Sequence, residues 1–121
     1  MNFDKIEQMK VIHRNQTEEF KNSDVCIATE YPLGDRAING AVIKLNGRYP
    51  DEGRVVNLKC KELAYIINGS GKIVVEDKEI KLGKGDLLLI EPGERYFWEG
   101  NLTMFVPCTP AWYPEQHKEV K

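Results

Sequence analysis

The stretch Gly83–Asn101, GKGDLLLIEPGERYFWEGN, sets the fold of this chain. It opens on a Gly-Lys-Gly-Asp turn and runs through four apolar residues, Leu87 to Ile90. It then turns at Pro92-Gly93, carries three adjacent aromatic rings and reaches a third turn signal at Gly100-Asn101. Four apolar residues between turn signals are too short for a core helix and right for a covered strand. Side chains alternate along a strand, so Tyr96, Phe97 and Trp98 cannot all face one core. Either Phe97 points one way and Tyr96 and Trp98 the other, or the run is not a strand.

The same rhythm extends outward. Turn signals at Asn46-Gly47, Pro50-Gly53, Asn68-Gly71 and Asp77-Lys78 divide eight short apolar segments between about residues 40 and 106. Val, Ile, Tyr, Phe and Trp dominate them, the residues that suit a pleated, half-buried surface. In RVVNLKCK, Val56, Leu58 and Cys60 share one face; in GKIVVED, Ile73 and Val75 do. Short strands with regular turn chemistry predict an all-β sandwich or barrel. Thr17 to Phe20 reads as a short helical turn capped by Thr17 or Asn15. Three of the eight residues from Pro107 to Pro114 are proline, which predicts an extended C-terminal tail over the surface, with a last helical turn in EQHKEVK.

Bulk properties exclude several classes. The chain has 121 residues, one domain's worth, with 41% hydrophobic and 30% charged residues and a net charge of −2. The charges are interspersed, against nucleic-acid binding and a polybasic membrane anchor. The first ten residues are too polar for a signal-peptide core, and no apolar run approaches a membrane span. A cytoplasmic location is expected, with Cys26, Cys60 and Cys108 as reduced, partly buried thiols. His13 and His117 are the only histidines, too few for a histidine-rich metal site.

Gly53 to Asn101 resembles the double motif of the cupin family. Glu62 and Gly69 match the glutamate and following glycine of its first motif; Gly85 and Gly93 match the glycine frame of its second. The resemblance implies a small antiparallel double-stranded β-helix, a jelly-roll barrel closed at one end. The whole chain, 1–121, is then one domain, with a core at about 40–106, an arm at 1–23 and a tail at 107–121. It also implies which residues take the positions of the family's metal ligands. The second-motif histidine position falls on Tyr96. The first-motif pair falls on Val56 and Leu58, on Val55 and Asn57, or on Lys59 and Lys61, depending on the spacer. None is histidine, and Glu62 is the sole surviving ligand. One carboxylate does not hold a transition metal, and a phenol with a free pKa of about 10 is a poor ligand unless ionised. No metal or other cofactor is expected; an improvised set of Glu62, Tyr96 and Cys60 is the remaining metal reading.

The family register turns Tyr96 and Trp98 inward as an amphipathic wall. Asn57, Glu62, Tyr96, Trp98 and Arg54 are the expected ligand-binding residues, and Glu62 and Tyr96 the weak catalytic candidates. Arg48, Tyr49 and Asp51 stand near the barrel mouth, and Trp112 and Tyr113 form a lid, an interface patch or surface packing. A buried Glu62 must be paired, hydrated or protonated, the ordinary route to an acid-base group. In ELAYII, however, Leu63, Tyr65 and Ile67 oppose Glu62 and form the bulkier face. A second copy covering that face reconciles the two, so a homodimer is expected. The residues favour a metal-free barrel that binds a small organic molecule, sugar-like or a small carboxylated or aromatic metabolite, over an enzyme. The alternatives are an isomerase or epimerase using Glu62 and Tyr96, an atypical metal-dependent enzyme, and a structural or regulatory dimer with a filled barrel.

Overall fold

The computed structural model describes residues 9–121. Nine antiparallel strands follow one another: β1 (Glu18–Ser23), β2 (Cys26–Glu30), β3 (Asn39–Tyr49), β4 (Arg54–Asn57), β5 (Lys61–Val75), β6 (Lys78–Gly83), β7 (Leu87–Ile90), β8 (Arg95–Thr109) and β9 (His117–Val120). β8 is the spine. It pairs with β3 and then β4 along one edge and with β5 along the other, while β5 also pairs with β6 and β7. The result is the expected all-β curled sheet, closing on a core that includes Leu45, Val55, Ile66, Ile73, Ile90, Leu102 and Met104.

The quoted stretch resolves as two turns and two strands, β7 and the start of β8, each paired with β5 and not with the other. The Gly83–Asp86 turn joins β6 to β7, and the Pro92-Gly93 turn joins β7 to β8. Period two then holds without a break along β8. Tyr96, Trp98, Leu102, Met104 and Cys108 are buried, while Phe97 lies outside beneath the Arg48 guanidinium, 3.9 Å from its ring centre. The aromatic run is thus a strand with two rings in and one out.

Three of the turn signals are not turns. Asn46-Gly47, Asn68–Gly71 and Gly100-Asn101 lie inside the long strands β3, β5 and β8, so the eight apolar segments merge into fewer elements. Gly100 pairs with Gly47 on one side and Gly71 on the other. A Cβ on Gly100 would stand 2.4 Å from the Gly71 Cα, and one on Gly71 2.6 Å from the Glu99 carbonyl oxygen. Gly71 and Gly100 thus let the β5 and β8 backbones approach more closely than any side chain allows. A bulge between Ile66 and Asn68 shifts the alternation of β5. Glu62, Ala64 and Ile66 face inward before it and Ile73 after it.

Both chain ends depart from expectation. The helical turn is a 3-10 turn at Arg14–Gln16, and Thr17 closes it by donating its hydroxyl to the Arg14 carbonyl at 2.8 Å. Thr17 to Phe20 leads into strand β1, which pairs with β2. Of the arm at 1–23, residues 1–8 lie outside the described residues. At the other end EQHKEVK is no helix beyond a 3-10 turn at Pro114–Gln116; His117–Val120 forms β9 and pairs with β4 from Arg54↔Val120 to Asn57↔His117. Polar alternation hid this strand, because its side chains gain little from burial while its backbone satisfies β4.

Candidate functional site

At the open end of the barrel lies a cavity of about 100 Å³, lined by Tyr49 from β3, Glu62 from β5, Tyr96, Trp98 and Met104 from β8, and Trp112 and His117 from the tail. Tyr96 and Trp98 meet edge to face with ring centres 6.3 Å apart. They form its wall and do not fill it.

Beneath the cavity sits Asn57, almost fully buried, its amide the hub of the site. Its Nδ2 donates to the Glu62 carboxylate oxygen at 2.8 Å and to the Tyr96 hydroxyl oxygen at 3.2 Å. The Tyr96 hydroxyl donates to the same Glu62 oxygen at 3.2 Å. On the other end, the Asn57 Oδ1 accepts from Gln116 Nε2 at 2.9 Å and lies 2.8 Å from His117 Nδ1. Gln116 is buried too, and its Oε1 accepts the backbone N–H groups of Lys59 and Cys60 at 3.2 and 3.1 Å. The tail is therefore a strap built into the site, with Gln116 as its fastening.

Electrostatics follow from burial. Desolvation raises the Glu62 carboxyl above its ordinary value, and the bonds from Tyr96 and Asn57 only partly oppose this. Among the described residues no cation is bonded to it. Burial, with Glu62 beside it, holds the Tyr96 phenol far above its usual range. Tyr49 is pushed up to about 12, mainly by burial. His117 is lowered by burial, which Glu119 partly offsets. Burial thus shifts each of these groups toward its neutral form. Burial likewise raises the thiols of Cys26, Cys60 and Cys108, the last to about 12, so none is an activated nucleophile.

Of the residues expected from sequence, Glu62, Tyr96 and Trp98 meet at the cavity, and Asn57 supports them from below. Arg54 is placed elsewhere. Its guanidinium donates to the Glu76 carbonyl at 2.6 Å on the outer face, beside Arg95 and Phe97, because strand alternation turns it away from Val55. Trp112 walls the cavity and tilts against the His117 ring at 5.5 Å, while Tyr113 is more exposed. His117 and Gln116, to which the sequence assigned no role, are the main additions. Both lie in a charged tail that gives no strand signal, and only the pairing of β9 with β4 brings them in.

Val56 is buried as well, but Val55 joins the barrel core and Asn57 bonds to Glu62 and Tyr96, so this is the first-motif pair that faces the site. The positions of the family's ligands are thus an alkyl group, an amide with both ends engaged, one carboxyl whose pKa burial raises and one phenol that burial keeps protonated. These do not fit a transition metal. Cys60 donates to the Pro110 carbonyl at 3.3 Å and is not among the cavity-lining residues, so the improvised set is not assembled either. Among the described residues no group of three or more His, Cys, Asp or Glu is placed to hold a metal ion.

The sequence profile of the EutQ-like cupin domain matches residues 52–106. The chain carries a small cupin domain. The cupin superposes on Pac13 of Streptomyces, described as a unique nucleoside dehydratase and also solved as variants with uridine, at a TM-score of 0.83 with 18% identity, covering 93% of this chain and 92% of that one. It also superposes on ectoine synthase of P. lautus (TM-score 0.73, 12% identity, 93% and 91% covered). EutQ of Clostridium difficile gives a TM-score of 0.66 at 15% identity, with 88% and 83% covered. At these identities the likeness is one of fold. No curated protein matches the cupin by sequence.

Proposed function

We propose that this cupin binds a small, uncharged, hydroxyl-bearing molecule in its barrel without a metal. The observation that carries the reading is the open cavity, in which the Glu62–Tyr96 pair stands at the head of a wall made by Trp98, Trp112 and Met104. An aromatic wall with a few fixed polar groups suits a sugar-like ring or a nucleoside. The structural likeness to a protein solved with uridine makes uridine the first ligand to try. Titration of tryptophan fluorescence with uridine, ribose and small carboxylates tests this. Saturable quenching weakened at least about tenfold in Tyr96→Phe or Glu62→Gln supports it. No saturable response from the whole panel refutes it.

A second reading, proton-transfer catalysis by the same pocket, is favoured by one specific observation: a buried carboxyl held only by neutral donors and raised in pKa. Turnover lost in Glu62→Gln with binding retained separates it from binding alone. The outer face also carries exposed Leu63, Tyr65, Ile67, Leu87, Leu89 and Phe105 on β5, β7 and β8, and we place a second copy of the chain there. The free thiols suit a cytoplasmic setting. Among the described residues no helix is long and apolar enough to cross a membrane.

A further inference from the structure

His117 is the one imidazole in the cavity, and its geometry constrains its chemistry. Nδ1 lies 2.8 Å from the Asn57 Oδ1. That oxygen is an acceptor, because the same amide's nitrogen must donate to the Glu62 carboxyl and the Tyr96 hydroxyl. Nδ1 therefore carries the proton, and Nε2 carries a lone pair. Among the described residues Nε2 has no hydrogen-bond partner, and no buried side-chain polar atom is left unsatisfied, so it opens toward the space that His117 lines. Trp112 covers the ring from one side. Glu62 lines the same cavity, one amide width away, bonded to the opposite end of Asn57.

We infer that His117 Nε2 is the proton acceptor of this site and the Glu62 carboxyl its proton donor, acting on a small α-hydroxy carbonyl compound of the sugar class. Asn57 is the positioning residue that orders both. The inference rests on the catalytic reading of the pocket. In the step, the C–H proton next to the carbonyl passes to Nε2. The electron pair forms the enol double bond, and the carbonyl oxygen takes the proton of Glu62. An enediol, an imidazolium and a carboxylate result. Return of the proton from Nε2 to the neighbouring carbon, with the original hydroxyl giving its proton to Glu62 as its oxygen becomes the new carbonyl, gives the isomer and restores both groups. Burial favours the starting state, a neutral imidazole facing a protonated carboxyl. The other titratable groups that line the cavity are Tyr49, Tyr96, Glu30, Cys26 and Cys108, each shifted by burial toward its neutral form, while Glu119 on the ring's own strand favours the imidazolium once formed.

Two measurements decide the matter. Long-range proton–nitrogen NMR of the labelled protein reads the tautomer directly, with exposed His13 as the reference ring. The Nδ1–H form is expected at neutral pH; an Nε2–H form overturns the inference. Deuterium incorporation into dihydroxyacetone, D-ribulose and D-glucuronate in D₂O then reads the chemistry. Exchange by the wild-type protein should fall about 100-fold or more in His117→Gln. Uridine binding by the wild-type protein, measured in parallel, reports the binding reading separately. Exchange that persists in His117→Gln, or none by the wild type on all three probes, overturns the role. Uridine binding retained in that case leaves the binding reading standing, so the two failures are distinct.

Discussion

Replacing Gln116 by Ala should loosen the strap that completes the cavity. The side chain accepts the Lys59 and Cys60 N–H groups and donates to Asn57 Oδ1. Lys59 is exposed, so water can take over its N–H. Cys60 is fully buried, so its N–H is left unsatisfied, at about 1–3 kcal/mol. Asn57 Oδ1 keeps His117, and the lost bond there adds about 1 kcal/mol. The expected loss is about 2–4 kcal/mol. At about 2.1 cal/mol/K of unfolding entropy per residue, a chain of 121 residues drops about 4 °C in Tm for each kcal/mol, so Tm should fall by about 8–16 °C. Urea unfolding followed by tryptophan fluorescence measures it, with an unchanged m-value showing that the unfolded state is the same. Gln116→Met fills the volume without the bonds and should recover only a minor part. If Gln116→Met lies within about 0.5 kcal/mol of wild type, the bonds do not hold the strap and the reasoning fails.

Other consequences are checked as directly. The folded-state pKa of Glu62 lies above its unfolded value, so between the two the folded protein holds the extra proton and this group's contribution falls as pH rises. Glu62→Gln, which resembles the protonated form, should therefore gain stability relative to wild type from pH 4 to pH 7 in paired urea melts; a constant difference would exclude the shift. His117 acts oppositely: its lowered pKa costs stability as pH falls below about 6.5, and His117→Gln should flatten that limb of the curve. In Gly69→Ala the new Cβ would stand 2.0 Å from the Asn101 carbonyl oxygen at a φ of +91°, and more than about 4 kcal/mol should be lost, leaving little folded protein by circular dichroism. Leu63→Lys with Leu89→Lys should shift sedimentation from dimer to monomer while leaving Tm within a few degrees, because both side chains are exposed.

Much of this was legible in sequence, because strand periodicity is a local property. That Phe97 opposes Tyr96 and Trp98 follows from period two alone, and the family register turns the pair inward. Glu62 needed more, since in ELAYII the apolar residues oppose it; the family register sends it inward, and the exposed Leu63, Tyr65 and Ile67 are the counterpart on the surface. The glycines misled because a residue that permits a turn equally permits a bend in a continuous strand, and only pairing partners distinguish the two. His117 and Gln116 were illegible for a different reason. Their roles depend on a contact nearly 60 positions away in sequence, made by a strand whose polar side chains carry no burial signal.

The glycine row at Gly47, Gly100 and Gly71 has a consequence for how substitutions combine. A methyl group at Gly100 pushes on β5, and a methyl group at Gly71 pushes on β8 across the same gap. Whichever comes first separates the two strands, and the second enters space already opened. The pair should therefore cost less than the sum of the singles, the reverse of what independent sites show. The closure of this barrel thus behaves as one shared coordinate, and a lineage that had lost one glycine would be freer to lose the next.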